Sequence, residues 1–279
     1  MISVQEYKPS SLMQPYVECY TRGIFNIHSD PDATFPVVPS GCLELIIHLD
    51  DLHCNINGKE EWINSPDYML IGLFTRVHTV RFPHKVPVFS IRFKPEALFS
   101  LFRIEGIEVM ERYEDITSLL GSSFYDFCHQ IREEKTTAEM IARTEEFLIS
   151  KVGRYHKKKD YVMRAAELIR YSDITSIKEI SDDACISQRQ LERKFRNVIG
   201  VSPKHYLRLL RINRVIRLIE QNQPMDLTSV AYFCGYFDQA HFINDFKLIT
   251  GHKPTVYTKG IQQFIVHPGL NSVDMDLLK

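Results

Sequence analysis

A repeat offset by 51 residues constrains this chain more than any other feature: residues 187–203 align with residues 238–254. Each copy opens on a residue able to cap a helix, Ser187 or Asp238. Apolar residues follow at +4 and +8, Leu191 and Phe195 in the first copy, Phe242 and Phe246 in the second. A glycine (Gly200, Gly251) stands at +13 and a proline (Pro203, Pro254) at +16. Apolar residues at that spacing among polar ones make a narrow stripe of helical period. Glycine is the residue that most easily takes the left-handed conformation ending a helix. Each copy therefore predicts a largely polar helix that buries one thin face, with Phe195 and Phe246 in the core.

A shorter helix is predicted just before each copy. Ser176-Ile-Lys-Glu179 has the spacing of a capping box, with Ile177 and Ile180 to one side. Asp226 caps the second, with Leu227, Val230 and Ala231 as its apolar face. Tight turns follow at 184–186 and 234–237, where Gly235 suits positive φ and Cys185 stands at the equivalent place. Ser187-Gln-Arg-Gln190 is a second capping box. Short capped helix, turn and longer helix is the helix-turn-helix pattern, here in tandem. Between the copies, residues 204–221 predict a helix with Leu207, Leu210, Val215, Leu218 and Ile219 as its core face and Arg208, Arg211, Arg214 and Arg217 as a basic side. Its length of roughly 26 Å is compatible with holding two helices in successive major grooves, about 34 Å apart.

With these residues in view, residues 160–259 resemble the AraC/XylS family of bacterial transcription regulators. The second unit, Val230-Ala-Tyr-Phe-Cys-Gly-Tyr-Phe-Asp-Gln-Ala-His-Phe-Ile-Asn-Asp-Phe-Lys-Leu-Ile-Thr-Gly-His-Lys-Pro254, carries the family signature. It departs from the family at Asn244, often Arg there, and the first unit departs at Ser181, often Ala; these differences bear on base preference and not on the fold. The resemblance implies double-stranded promoter or operator DNA as partner. Charge agrees: residues 156–260 hold 18 Lys and Arg against 11 Asp and Glu, net +7, and the rest of the chain is net −8. A near-neutral total thus conceals a basic module, the expected footprint of phosphate binding.

On a recognition helix the exposed residues just after the cap face the groove. In the first unit these are Gln188, Arg189, Glu192 and Arg193; in the second, Gln239, Ala240, Ile243 and Asn244. Arg suits guanine O6 and N7, Gln or Asn suits adenine, and apolar groups suit the thymine methyl. Lys194, Arg196, Lys204, Lys247 and Lys253 are the candidate phosphate contacts, which position without specifying. His241 is expected to pack rather than to bind phosphate.

Residues 1–95 read as β, with strands at 41–49, 68–72, 77–82 and 86–93, a turn at Asp50-Asp51 and a hairpin at Asn57-Gly58. Short, closely spaced strands suggest a barrel or sandwich. Two stretches, 35–46 and 90–98, are similar to the cupin-like sensor domains fused to AraC-type modules, a resemblance covering about residues 5–120. It implies an effector-binding or dimerising role. Helices follow: 95–102 with Pro95 at its first position, one face with Phe124, Phe127, Cys128 and Ile131, and one capped by Thr136 and Glu139 that carries Ile141, Phe147 and Leu148. They either form a dimer interface or cover the barrel. The expected fold class is α+β, divided into a cupin-like sensor at 1–152, a Lys-rich linker at 153–159, the double helix-turn-helix domain at 160–260 and a tail at 261–279.

The chain of 279 residues suffices for two cores. No signal-peptide h-region opens it, and no apolar run nears the ~20 residues a membrane span needs. Cys19, Cys42, Cys54, Cys128, Cys185 and Cys234 show no metal-finger spacing and read as reduced cytosolic thiols, mostly packed inside. The cytoplasm is the expected location. A metal centre among Cys42, His48, His53, Cys54, His78 and His84 is disfavoured. His48 and His53, five apart, would face opposite sides of one continuous strand, and Pro83 separates His78 from His84. Glu44 is either a solvent-face residue or a pocket carboxylate. There is no GxSxG, HExxH or P-loop pattern, and no cofactor is expected. The function expected is a sequence-specific DNA-binding transcription regulator, such as an activator, responsive to a small-molecule effector through the barrel, with homodimerisation and RNA polymerase as further partners. The rival is a cupin-like metal-dependent enzyme carrying a DNA-binding module.

Overall fold

Alternation organises the first half of the chain. Along Leu43–His48, the residues Leu43, Leu45 and Ile47 enter one apolar core while Glu44, Ile46 and His48 line a cavity on the other side. A computed structural model describes residues 3–25, 33–58, 61–152, 161–171, 176–220 and 226–258. The expected linker 153–159 and tail 261–279 lie outside the described residues.

The strands are β1 (Ser3–Tyr7), β2 (Val17–Phe25), β3 (Thr34–Val37), β4 (Leu43–His48), β5 (Asn55–Asn57), β6 (Trp62–Asn64), β7 (Tyr68–Ile71), β8 (His78–Arg81) and β9 (Val86–Phe93), with β10 (Tyr113–Asp115) later. They form a six-stranded sheet in the order β1-β2-β9-β4-β7-β10 and a four-stranded sheet in the order β3-β8-β5-β6. All pairings are antiparallel. The two sheets meet through Val37, Ile46, Ile56, Met69, Val80 and Val88. The Asn57-Gly58 hairpin joins β5 to β6, with Gly58 N donating to Glu61 O at 2.9 Å. His48 and His53 depart from expectation. A turn separates them, so they do not belong to one strand, and their rings stack with centroids 4.6 Å apart.

The outer face of the six-stranded sheet is covered by helices: α1 (Pro95–Phe102), α2 (Gly106–Val109), α3 (Ile116–Leu120), α4 (Ser122–Glu133) and α5 (Thr137–Val152). Phe124, Phe127, Cys128 and Ile131 are all buried, and Phe127 stacks on Phe147 at 3.9 Å. The apolar faces of α4 and α5 thus enter the chain's own core, leaving Tyr125 and Ile149 exposed.

The helical part comprises α6 (Tyr161–Tyr171), α7 (Ile177–Asp183), α8 (Gln188–Ile199), α9 (Pro203–Glu220), α10 (Leu227–Phe233), α11 (Gln239–Thr250) and α12 (Pro254–Thr258). Helix α9 begins at Pro203, whose missing N–H costs nothing in a first turn. The side chain of Ser176 makes no capping bond, contrary to the capping-box expectation; burial of Ile180 holds α7 instead. The α9 core face is also broader than expected. Tyr206, Leu209, Ile212, Asn213, Val215, Ile216 and Leu218 are buried, whereas Leu207, Leu210 and Ile219 are half-buried. Other elements pack around most of the helix, which also rules out a free basic side. Arg208 Nε lies 2.8 Å from Asp245 Oδ1, Arg211 covers the Tyr236 ring at 5.6 Å, and burial, then Arg214, pulls Arg217 below its usual pKa.

One apolar core runs from the sheet through α1–α6 to α8 and Tyr206, and a second unites α9, α10 and α11 with Val38. At Gly106, helix α2 meets the end of α8 so closely that a Cβ would lie 2.6 Å from the Val198 carbonyl oxygen. Polar ties reinforce the contact. Asn213 Nδ2 donates to Pro39 O at 2.6 Å, and Val77 N donates to Ile249 O at 2.9 Å. Arg170 forms a buried ion pair with Glu96, and its Nη1 also donates to the Tyr206 hydroxyl at 2.8 Å.

Candidate nucleic-acid interface and cavity

Helix α8 is set by its two ends. The Ser187 side chain accepts from Gln190 N while the Gln190 side chain accepts from Ser187 N, the reciprocal box expected from the sequence. Gly200 ends the helix at φ 100°, with its N–H on Arg196 O. Cys185 turns the chain from α7 at φ 54°, and Gly235 does the same before α11 at φ 80°. Leu191, Phe195, Val198 and Ile199 are buried; Gln188, Arg189, Glu192, Arg193, Lys194 and Arg196 are exposed. All six candidate contacts in this helix therefore face solvent.

Helix α11 follows the same plan. The Asp238 side chain accepts from His241 N at 2.7 Å, and Gly251 closes the helix at φ 77°. Gln239, Ala240, Asn244 and Lys247 are exposed, as are Lys204 and Lys253 outside the helix. Ile243 is half-buried and packs against the core of α9–α11, so it is not the freely exposed groove residue expected. It follows Phe242 on the flank that meets the rest of that core. His241 is exposed yet touches its neighbours, with its ring edge-on to Tyr236 at 5.4 Å and Nε2 3.4 Å from Asp245 Oδ2.

Two neighbours of these helix faces escape a sequence reading. Arg76, from the β-rich region, borders a surface depression with Asn244 and Lys247. Phe237 is 82% exposed in the turn before α11, beside a groove that also holds Lys204, Arg208 and Arg211. The only sequence signal for Phe237 is the density of aromatics at 232–237, more than one small core absorbs.

The second candidate site is a cavity of about 340 Å³ between the sheets. Glu44 is buried in its wall, which decides for the pocket carboxylate over the solvent face. Ser90 Oγ donates to Glu44 Oε1 at 2.6 Å, and Arg92 Nη2 lies 3.5 Å from the same oxygen. At the other end His48 Nδ1 donates to Asp67 O at 3.0 Å, and its Nε2 accepts from Ser65 Oγ at 3.2 Å. Among the described residues no group of three or more His, Cys, Asp or Glu is placed to hold a metal ion. Five of the six cysteines are buried and Cys185 is exposed.

Burial above all, then the backbone bond to Asp67 acting the other way and the field of His53, sets His48 at a pKa of about 4. His53, Asp67, Asp50 and Cys54 face this ring. Between pH 6.5 and 4 the unfolded chain binds the proton that folded His48 refuses. This contribution is therefore complete above about pH 6.5 and is lost as pH falls towards 4, on the order of 3 kcal/mol for such a shift. Denaturant melts of wild type and His48→Gln across pH 4 to 7 test it. The wild-type loss should shrink in the variant, and an equal loss in both would assign the acid sensitivity elsewhere.

Residues 180–260 match the family described as a helix-turn-helix domain, and residues 5–115 match a domain of unknown function, DUF6597. The probable transcriptional regulator LumQ of Photobacterium leiognathi is 32% identical over 82 residues, covering 29% of this chain and 33% of LumQ. The HTH-type transcriptional activator RhaS of Escherichia coli K12 is 26% identical over 95 residues, 34% of each chain. The chain thus matches about a third of the length of these curated relatives. ToxT of Vibrio cholerae aligns over 86% of this chain and 97% of its own, at 15% identity and a TM-score of 0.47. No helix among the described residues is long and apolar enough to cross a membrane. Residues 180–260 are thus a helix-turn-helix domain similar to those of AraC-type regulators.

Proposed function

We propose that this chain is a bacterial, sequence-specific, DNA-binding transcription regulator, and that α7–α8 and α10–α11 are its two helix-turn-helix units. One observation carries the reading: α8 and α11 each present a polar face to solvent from capped, tightly turned units on either side of α9. On this reading Gln188, Arg189, Glu192, Arg193, Gln239, Ala240 and Asn244 meet base edges, with Ile243 at the margin. Lys194, Arg196, Lys204, Lys247 and Lys253 meet phosphates. Residues 1–152 form the cupin-like sensor, 153–159 the linker and 160–260 the DNA-binding domain, acting in the cytoplasm. The cavity between the sheets is the effector site. Its wall reaches α9 through Pro39, whose carbonyl Asn213 holds. A ligand that binds two arrangements of that contact unequally shifts DNA affinity by the same coupling energy. A homodimer and contact with RNA polymerase complete the reading.

Fluorescence anisotropy on DNA selected from a random pool tests the core of it. The affinity should fall steeply with salt, with a log–log slope near −0.9 for each phosphate neutralised. Sequence-blind binding at every salt concentration would defeat the proposal. Within that experiment Arg193→Ala should lose about 1–3 kcal/mol and relax preference at one base pair. Lys194→Ala should weaken all sequences alike and flatten the salt slope. If Arg193→Ala leaves specific binding intact, base reading lies elsewhere on α8.

A further inference from the structure

The cavity has an apolar waist and two unlike polar ends. Phe82, Val80, Val86, Ile46 and Met69 are among the residues that form the waist. At one end the hydroxyls of Thr21 and Ser90 lie 2.6 Å apart, and Ser90 donates to Glu44. The guanidinium of Arg92 is shared there between two carboxylates, 3.5 Å from Glu44 and 3.3 Å from Glu6. Glu18 adds a third carboxylate whose field reaches Cys19 and Cys42, and Arg217 of α9 is a further cation close enough to feel Glu18 and Cys42. The cavity wall itself holds one carboxylate, Glu44, and one guanidinium, Arg92, and Glu6 engages that guanidinium from outside the wall. The opposite end offers no compensating charge at neutral pH, since burial keeps His48 neutral there.

A carboxylate ligand at the Glu44 end would give up its hydration to stand beside Glu44, with Arg92 already engaged by two acids. An N–H or O–H would instead find acceptor oxygens already in place on Glu44, Ser90 and Thr21. The volume is at the small end of the range for ligand sites, about 300–1,000 Å³. We infer that the cavity takes a small apolar molecule of about fused-bicyclic size whose single polar head donates hydrogen bonds, an amine or a hydroxyl, and that it turns carboxylates away. This rests on the reading of the cavity as the effector site.

Tryptamine, tryptophol and indole-3-acetate carry one ring system and three heads, so calorimetric titration of each into the full chain tests the inference. Tryptamine or tryptophol should bind at least about tenfold more tightly than indole-3-acetate. The stronger of the two identifies the head as cationic or neutral. Val88→Phe, which extends a cavity-wall side chain into the space, should abolish binding of all three. Glu44→Gln should weaken tryptamine more than tryptophol, and if that variant does not fold the wild-type ranking still decides. Indole-3-acetate binding as tightly as the others would overturn the choice of head group while leaving the cavity an effector site. No binding by any of the three, or binding that survives Val88→Phe, would remove the cavity as the effector site and the head-group inference with it.

Discussion

Glu96→Ala should destabilise the chain by about 3–5 kcal/mol, among the largest effects available to one substitution away from the glycines. Glu96 is 1% exposed and its partner Arg170 5%. Arg170 Nη1 lies 3.1 Å from Glu96 Oε2, with Nη2 on the other carboxylate oxygen and the Tyr206 hydroxyl taking a further bond. Burial lowers the guanidinium pKa, but Glu96 and then Tyr206 outweigh it and hold the group well above its usual value. Removing the carboxylate leaves that charge in the interior without a counter-ion, which is the costly way to break a buried pair. Replacing both ends with apolar residues, as in Glu96→Leu with Arg170→Met, should recover most of the loss. Urea melts of the single and double variants measure the difference. The pair also joins α1 to α6 and α9, so the single variant should loosen the β-rich region from the helical one and split one transition into two. A single-variant loss below about 1 kcal/mol would mean that the two regions part readily and that the charge escapes to water.

Much of the helical half was legible because its signals are local. Caps, +4 and +8 apolar residues and terminal glycines act within one or two helical turns, so Ser187, Gly200, Asp238 and Gly251 announce α8 and α11 directly. The strands β1 and β2 were not legible. Glu18, Arg22 and Gly23 interrupt β2, and its place in the sheet is set by pairing with β9, more than sixty residues away. The broad core face of α9 escaped for the same reason: Pro39, Tyr236 and Asp245 come from distant segments and bury side chains that a helical wheel assigns to solvent. Glu44 alternated correctly with Leu43 and Leu45, but only the second sheet decides whether that face meets water or a cavity. His48 and His53 show the opposite error, where a period-two argument was carried across a turn.

Phe195→Ala and Phe246→Ala should each cost about 3–5 kcal/mol, yet with different consequences. Both rings are fully buried, at equivalent places in the repeat. Phe195 belongs to the core that α8 shares with the sheet and α1–α6, with Tyr206 at 5.8 Å. Its cavity would be felt by the largest cooperative unit of the chain, so the main denaturation midpoint should fall. Phe246 lies in the separate core of α9–α11, between Phe242 at 5.8 Å and Tyr257 at 5.0 Å. Its loss should chiefly lower the free energy of local opening of α10, α11 and α12. Hydrogen exchange can separate the cases. Phe246→Ala should speed exchange across α10–α12 while amides of β4 and β9 keep their protection, and on the proposed function DNA contacts of α11 should fade before those of α8. Phe195→Ala should speed exchange in β4, β9 and α8 together. Equal acceleration of β4 in both variants would show that the two cores open as one, and the second unit would then have no independent stability to lose.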